Sequence, residues 1–354
     1  MFMFNVKTNE KVHWIGQTRS EMREHVAKLG QPHFRADQIY NWIYSGKIKS
    51  FQSMENIPKS FRTILDKISG LHPLSLVKIT GRDSSLTKKF LFRLSTDEMI
   101  ESVLMQEGNR TTACLSSQVG CAMDCDFCAT AKMGFQKNLS VGEIVDQFLL
   151  LQQESVKKIT NVVFMGMGEP FLNYERVIKA ADLLNDPDGI DLGARRITIS
   201  TVGIIPKIEQ FTKESHRYKL AISLNGTTQD QRLQTMPIAK KYPLQMLMKA
   251  AKNYYETTKR FPTFEYVLMK NLNDEIADAE NLIKLIGNLP CKVNVIPYNE
   301  IGGTYERPSQ NRIKRFVNIL TNAPFTVTIR WSKGTEIDAG CGQLAVNAGG
   351  GVQS

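Results

Sequence analysis

The chain has 354 residues, 42% hydrophobic and 23% charged, values ordinary for a soluble globular protein with one large domain, a smaller companion and a sizeable core. No uncharged stretch of 18 or more residues occurs, which excludes a membrane-spanning helix. Forty-five Lys and Arg against 35 Asp and Glu give a net charge of +10, an excess that favours polyanions such as nucleic acid.

The N-terminal stretch MFMFNVKTNEKVHWIG has no apolar run followed by a small-residue cleavage site, so no signal peptide is expected. From about Thr18 to Ile68 the pattern predicts short helices, SEMREHVAKLG stopping at Gly30 and FRADQIYNWIYSG stopping at Gly46. Arg35, Lys47, Lys49, Lys59, Arg62 and Lys67 outnumber the acids there; they form either a phosphate-binding face or a solvated basic surface. This region, 1–73, is expected to be a small helical accessory domain. Between Leu74 and Met105 the alternation becomes strand-like in LVKITG, KKFLFRLS and MIESVLMQE, predicting a β-extension over 74–110.

The stretch CLSSQVGCAMDCDFCATAKMGFQK follows, with four of the six cysteines, Cys114, Cys121, Cys125 and Cys128, inside fifteen residues. Cys121, Cys125 and Cys128 read C-x3-C-x2-C, which brings three thiolates round one small centre. A structural zinc site closes its tetrahedron with a fourth Cys or His. A [4Fe–4S] cluster can instead be held by three cysteines with one iron left open. Clustered cysteines of this kind fit a reducing cytoplasm better than a disulfide scaffold.

Beyond the loop, short apolar strands alternate with helices: NVVFMG, RRITIST, YKLAISL, FPTFEYVLM, CKVNVIPYN and FTVTIRW are separated by helical segments. Runs apolar on both faces indicate buried parallel strands, and six such units predict an α/β fold, an open (β/α)6 partial barrel spanning 111–345. Chemistry in such barrels sits at the C-terminal strand ends. There stand Gly168-Glu169 before Pro170, Ser200-Thr201, Ser223-Leu224-Asn225 and Tyr298-Asn299, small polar groups able to bind ribose, carboxylate or adenine edges or to cap helices. The last segment places Cys341 between Gly340 and Gly342, as a mobile thiol for a pocket or as a buried apolar cysteine. Cys114 poses the same question, whereas Cys291 opens an apolar strand and reads as core. The tail 346–354, NAGGGVQS in its last eight residues, is expected to be flexible.

With Phe127 before its third cysteine, the loop resembles the C-x3-C-x-aromatic-C pattern of the radical S-adenosylmethionine superfamily. FRADQIYNWIY, CLSSQVGCAMDCDFCATAKMGF, FMGMGEPFLN, RRITISTVGIIP, MPIAKKYP, CKVNVIPYN and IDAGCGQL together resemble, in order and over nearly the whole chain, the RNA adenine-C2 methyltransferases that act on 23S ribosomal RNA and tRNA. The resemblance implies that Cys121, Cys125 and Cys128 hold a [4Fe–4S] cluster. It implies further that Gly168, Glu169, Ser200, Ser223, Leu224, Asn225 and Asn299 bind S-adenosylmethionine. Cys341 would take a methyl group from one S-adenosylmethionine and lose hydrogen to the 5′-deoxyadenosyl radical of a second. The methylene radical would add to adenine C2, Glu101 would remove the C2 proton, and Cys114 would resolve the adduct through a transient disulfide with Cys341.

A flavodoxin or ferredoxin-type electron donor, a cytoplasmic monomer and no membrane association are implied as well. The chain departs from the family pattern in having Asn225 where His is common and Ala339-Gly340 where Ala-Ala is frequent. Gln106 and Glu300 stand where Pro is frequent. Adenine-C8 methyltransferases, which confer antibiotic resistance, share the cluster and both working cysteines; Pro170 and Ile296-Pro297 look more like the C2 class. A non-catalytic RNA-binding protein with a structural metal, or a radical enzyme acting on a small molecule, would be the readings from other classes.

Overall fold

The computed structural model describes residues 12–45, 48–82 and 85–346. The stretch read for a signal peptide lies mostly outside the described residues, as do Gly46, Lys47 and the tail from 347. A two-residue strand, β1 (Val12–His13), precedes the helices α1 (Arg19–Lys28), α2 (Phe34–Tyr44) and α3 (Lys59–Ile68). Thr18 sets the start of α1, because its hydroxyl accepts from Glu21 N while the Glu21 carboxylate accepts from Thr18 N. The helices bury Ile39, Tyr40, Ile43, Phe61 and Leu65. Strand β2 (Ser69–Gly70) pairs in parallel with β1, and buried Trp14 donates to Ser69 Oγ at 2.9 Å. Of the basic residues on this region, Arg35 bonds Gln38 and Arg62 bonds the Gln52 carbonyl, while Lys49, Lys59 and Lys67 are exposed.

Strands β3 (Leu74–Thr80), β4 (Thr87–Leu94), β5 (Met99–Glu107) and β6 (Arg110–Cys114) form an antiparallel meander. Next come the short pair β7 (Gln118–Gly120) and β8 (Phe135–Asn138), with α4 (Ala129–Lys132) between them, and then α5 (Val141–Gln153). The rest alternates: β9 (Asn161–Phe164), α6 (Tyr174–Asn185), β10 (Ile197–Thr201), α7 (Ile205–Glu214), β11 (Lys219–Ser223), α8 (Gln229–Thr235), α9 (Leu244–Thr258), β12 (Thr263–Leu268), α10 (Ile276–Ile286), β13 (Lys292–Pro297), α11 (Gln310–Leu320) and β14 (Thr326–Ile329).

One ten-stranded mixed sheet results, in the order β14-β13-β12-β11-β10-β9-β6-β5-β4-β3, and it does not close. From β6 to β14 every neighbouring pair is parallel. Phe164, Leu220, Ile222, Phe264, Tyr266 and Val295 are buried, as strands covered by helices require. The open α/β barrel expected from the sequence is therefore present, with β6 adding a seventh parallel strand to the six read from the sequence, and the β-extension continues the barrel's own sheet.

Two features tie the ends of the chain to this sheet. His72 Nδ1 lies 2.6 Å from Asp146 Oδ1 on α5, and Leu74 N donates to Asp146 Oδ2 at 3.0 Å. After β14 the chain crosses back to the antiparallel strands, where Lys89 Nζ donates to Asp338 O and Ala345 N donates to Glu101 Oε2. No helix among the described residues is long and apolar enough to cross a membrane.

Candidate active site

The cysteine loop is closed at its neck by β7 and β8. Gly120 has φ +68°, and a Cβ there would lie 1.7 Å from Gly134 O, so only glycine fits the crossing. Cys121, Cys125, Cys128 and Phe127 line one cavity of about 150 Å³ at the C-terminal ends of the strands. Burial pushes the Cys121 thiol up to about 12 and the Cys125 thiol well above its ordinary value, and the neighbouring sulfurs add to both. Such thiols favour an electropositive centre that replaces their protons. Three thiols of one loop facing one cavity fit a multi-iron cluster that would take each sulfur on a different iron.

The opposite wall of the cavity comes from the strand ends. Gly168 has φ +95°, and a Cβ there would meet Gln118 Cβ at 2.5 Å, so the turn after β9 requires glycine. Glu169 is 2% exposed, its Oε1 accepting from Phe171 N at 3.0 Å and its Oε2 from Val202 N at 2.9 Å. Burial raises its carboxyl to about 7 against these backbone bonds. A buried acid with no cationic partner among the described residues is suited to an ammonium group. Ser200, Thr201, Ser223, Asn225, Val267 and Asn299 complete the wall.

Two of the expected cofactor contacts differ in kind. Leu224 is fully buried and does not line the cavity, because its side chain points into the core while its carbonyl accepts from Arg232. Asn225 lines the cavity at φ +52°, a conformation Asn tolerates, but its Oδ1 is already used to accept from Val267 N at 2.9 Å. Its work here is partly to fasten β11 to β12.

Cys341 lines this cavity and also a second one of about 550 Å³ inside the barrel, where Cys114, Met165, Glu265, Arg330 and Leu344 stand. Burial, then the Cys341 sulfur, pushes the Cys114 thiol up to about 12, with Arg330 opposing. The two thiols are thus brought to one space. Both are free, and the expected disulfide between them is not formed in this structure.

Glu101 stands elsewhere. It is 6% exposed on β5 in a neighbouring cleft with Lys89, Asp338 and Gln343, and it lines neither cavity that Cys341 reaches. Its Oε1 is 3.0 Å from Lys89 Nζ and its Oε2 accepts from Ala345 N at 3.1 Å. Burial raises its carboxyl, with Lys89 opposing. Cys291 is a buried core residue, as its sequence setting predicts.

Three arginines of the site were not singled out from the sequence. Arg232, 1% exposed, donates through Nη1 to the carbonyls of Ser223 and Leu224 and through Nη2 to Val202 O. Arg330 donates to Met165 Sδ beside the two thiols, and Arg307 donates to Asn299 Oδ1. Arg330 reaches Met165 across the fold, where local spacing carries no signal, whereas Arg232 and Arg307 follow the strand-end residues they bond by eight or nine positions. A basic residue shortly after a strand-end motif is the one available hint.

Residues 115–285 match the Radical SAM superfamily, and residues 12–70 match the ribosomal RNA large subunit methyltransferase N-terminal domain. A probable dual-specificity RNA methyltransferase RlmN of Dictyoglomus thermophilum is 44% identical over 328 residues, covering 92% of this chain and 94% of its own. The dual-specificity RNA methyltransferase RlmN of Geotalea uraniireducens is 40% identical over 336 residues, covering 95% and 97%. The crystal structure of a radical SAM methyltransferase from Sphaerobacter thermophilus superposes with a TM-score of 0.91 at 41% identity, covering 94% of this chain and 99% of that one. Over more than nine-tenths of its length, and with its cysteine loop and strand-end cavity in place, the chain belongs to the dual-specificity RNA methyltransferases of the radical SAM superfamily, enzymes that use a [4Fe–4S] cluster and S-adenosylmethionine.

Proposed function

We propose that the protein methylates C2 of adenine in 23S ribosomal RNA and in tRNA through an S-methylcysteine on Cys341. The observation that carries this reading is the place of Cys341, on the wall shared by the strand-end cavity and the space holding Cys114. Cys121, Cys125 and Cys128 hold the cluster, and Glu169 receives the ammonium group of S-adenosylmethionine, with Gly168, Ser200, Ser223, Asn225 and Asn299 around it. When bound, the cluster and S-adenosylmethionine supply a radical able to take hydrogen from a methyl group.

The chain's own residues do the rest. Cys341 gives up its thiol proton and accepts a methyl group on sulfur. After hydrogen loss, the Cys341-bound carbon bonds to adenine C2, a carbon with no useful nucleophilicity. Glu101 takes the C2 proton, a role favoured by a carboxyl that burial raises above its ordinary value, once movement of the C-terminal segment opens the cleft to it. Cys114 then gives up its thiol proton and attacks the Cys341 sulfur. The carbon–sulfur bond breaks with its electron pair on the carbon, which takes up a proton to become the product methyl. The two sulfurs join in a transient disulfide, and the one electron left over would return to the cluster held by Cys121, Cys125 and Cys128. An electron donor of the flavodoxin or ferredoxin type, a monomeric state and a cytoplasmic location complete the reading.

Peptide mass spectrometry tests it. Incubation of the reconstituted enzyme with S-adenosylmethionine should leave one added methyl on the Cys341 peptide and none on Cys114 or Cys291. A Cys341 that is never methylated, while the RNA is, would remove the covalent route.

A further inference from the structure

Cys341 is held by a side chain from outside its own loop. Asn299, just past β13, donates through Nδ2 to Cys341 O at 3.0 Å and to Ser332 Oγ at 2.7 Å. Its Oδ1 accepts from Arg307 Nη2 at 2.7 Å. Arg307, although exposed, is anchored in turn, with Nε donating to Tyr298 O at 2.7 Å and its backbone N donating to Glu300 Oε1 at 3.3 Å.

A carboxamide can flip about its last torsion and exchange oxygen for nitrogen. Here the neighbours decide the orientation. A guanidinium is donor only and the Cys341 carbonyl acceptor only, so a single orientation satisfies both. Asn299 is 3% exposed, and the flipped amide would set oxygen against the Cys341 carbonyl and NH2 against the guanidinium, with little water to relieve either contact.

The same clasp explains Gly340. A Cβ there would lie 2.8 Å from Asn299 Nδ2 and 2.6 Å from Gln343 Oε1. Gln343 closes the other side, its Oε1 accepting from Gly340 N at 3.0 Å and its Nε2 donating to Glu300 O at 3.1 Å. The glycine before the cysteine therefore admits a close contact, where the sequence alone suggested a loosened loop.

We propose that Arg307 is a positioning residue for Cys341: by fixing the amide orientation of Asn299, it holds the Cys341 backbone at the wall between the two cavities. Arg307 lines neither cavity, so it acts through Asn299. The effect on turnover rests on Cys341 as the methyl carrier, but the effect on the loop does not.

The test compares Arg307→Ala and Arg307→Lys in the anaerobically reconstituted holoenzyme, read by hydrogen–deuterium exchange of residues 338–344 and by kcat and KM for S-adenosylmethionine. Arg307→Ala should speed exchange in that segment by about tenfold, equivalent to about 1.4 kcal/mol, and lower kcat more than it changes KM. Arg307→Lys keeps a donor for Asn299 Oδ1 but loses the fork that also holds Tyr298 O, and should exchange between the parent and Arg307→Ala. Asn299→Leu, similar in size but without the amide, removes the clasp itself and should loosen the segment even if Arg307→Ala does not fold. Unchanged exchange in Arg307→Ala, or in Asn299→Leu where only that protein folds, overturns the proposal, as does an Arg307→Lys variant no better than Arg307→Ala. Faster exchange with unchanged kcat would leave the clasp standing and count against Cys341 as the methyl carrier.

Discussion

Asp146→Asn isolates the contact that joins the helical region to the barrel. Both carboxylate oxygens are engaged, Oδ1 with His72 Nδ1 at 2.6 Å and Oδ2 with Leu74 N at 3.0 Å, and the side chain is fully buried. Burial alone would lower the His72 pKa, but the bond and charge of Asp146, helped by a bond to the Ile48 backbone, outweigh it and raise it above 6.5. A histidine raised on folding contributes stability that is fully present below its unfolded pKa and is lost as pH rises through the folded one. Burial also raises the Asp146 carboxyl, with His72 opposing.

Asparagine keeps an acceptor for Leu74 N and can pair with neutral His72, yet cannot balance an imidazolium. Loss of a charge-assisted buried bond of this kind is about 2 kcal/mol. The variant should therefore be about 2 kcal/mol less stable than the parent at pH 6, with the gap shrinking toward zero by pH 8.5. Urea unfolding of the two holoenzymes at several pH values measures it. An equal loss at pH 6 and pH 8.5 would refute the reasoning, because the contribution would then not depend on the charge of His72.

Gly168→Ala sets a methyl against Gln118 Cβ and N at a positive φ, where backbone rather than a flexible tip must yield. It should cost about 2–3 kcal/mol in unfolding and at least about tenfold in S-adenosylmethionine affinity, checked by denaturation and equilibrium dialysis. Glu101→Gln should lower RNA methylation by about 10²-fold or more while leaving methylation of Cys341 intact, read by nucleoside and peptide mass spectrometry on one sample. Activity within about threefold of the parent would leave the proton to another base.

The chemistry was most legible where its residues are contiguous. Cys121, Cys125 and Cys128 sit in one short loop, and Gly168-Glu169 follow the next parallel strand, so spacing and strand order suffice to bring them together. Glu101 was legible only by resemblance, because its burial depends on Ala345, 244 residues away, folding back over β5. Leu224 shows the limit of a strand-end motif: neighbouring positions point to opposite faces, and its side chain takes the core face. Asn225 reads as a ligand from its place, while its φ of +52° and bond to Val267 N emerge only once β12 lies beside β11. Arg232, Arg307 and Arg330 went unread for the same reason, since each takes its meaning from partners on other elements. The β7 and β8 pair was missed because two very short strands leave no periodic signal.

The most direct measurement is nucleoside mass spectrometry on a 23S ribosomal RNA fragment spanning the peptidyl-transferase loop, after anaerobic incubation with reconstituted enzyme, S-adenosylmethionine and a reductant. The account predicts 2-methyladenosine, abolished by Cys341→Ala. Formation of 8-methyladenosine instead, or of neither product while a related active enzyme modifies the same RNA, would contradict it.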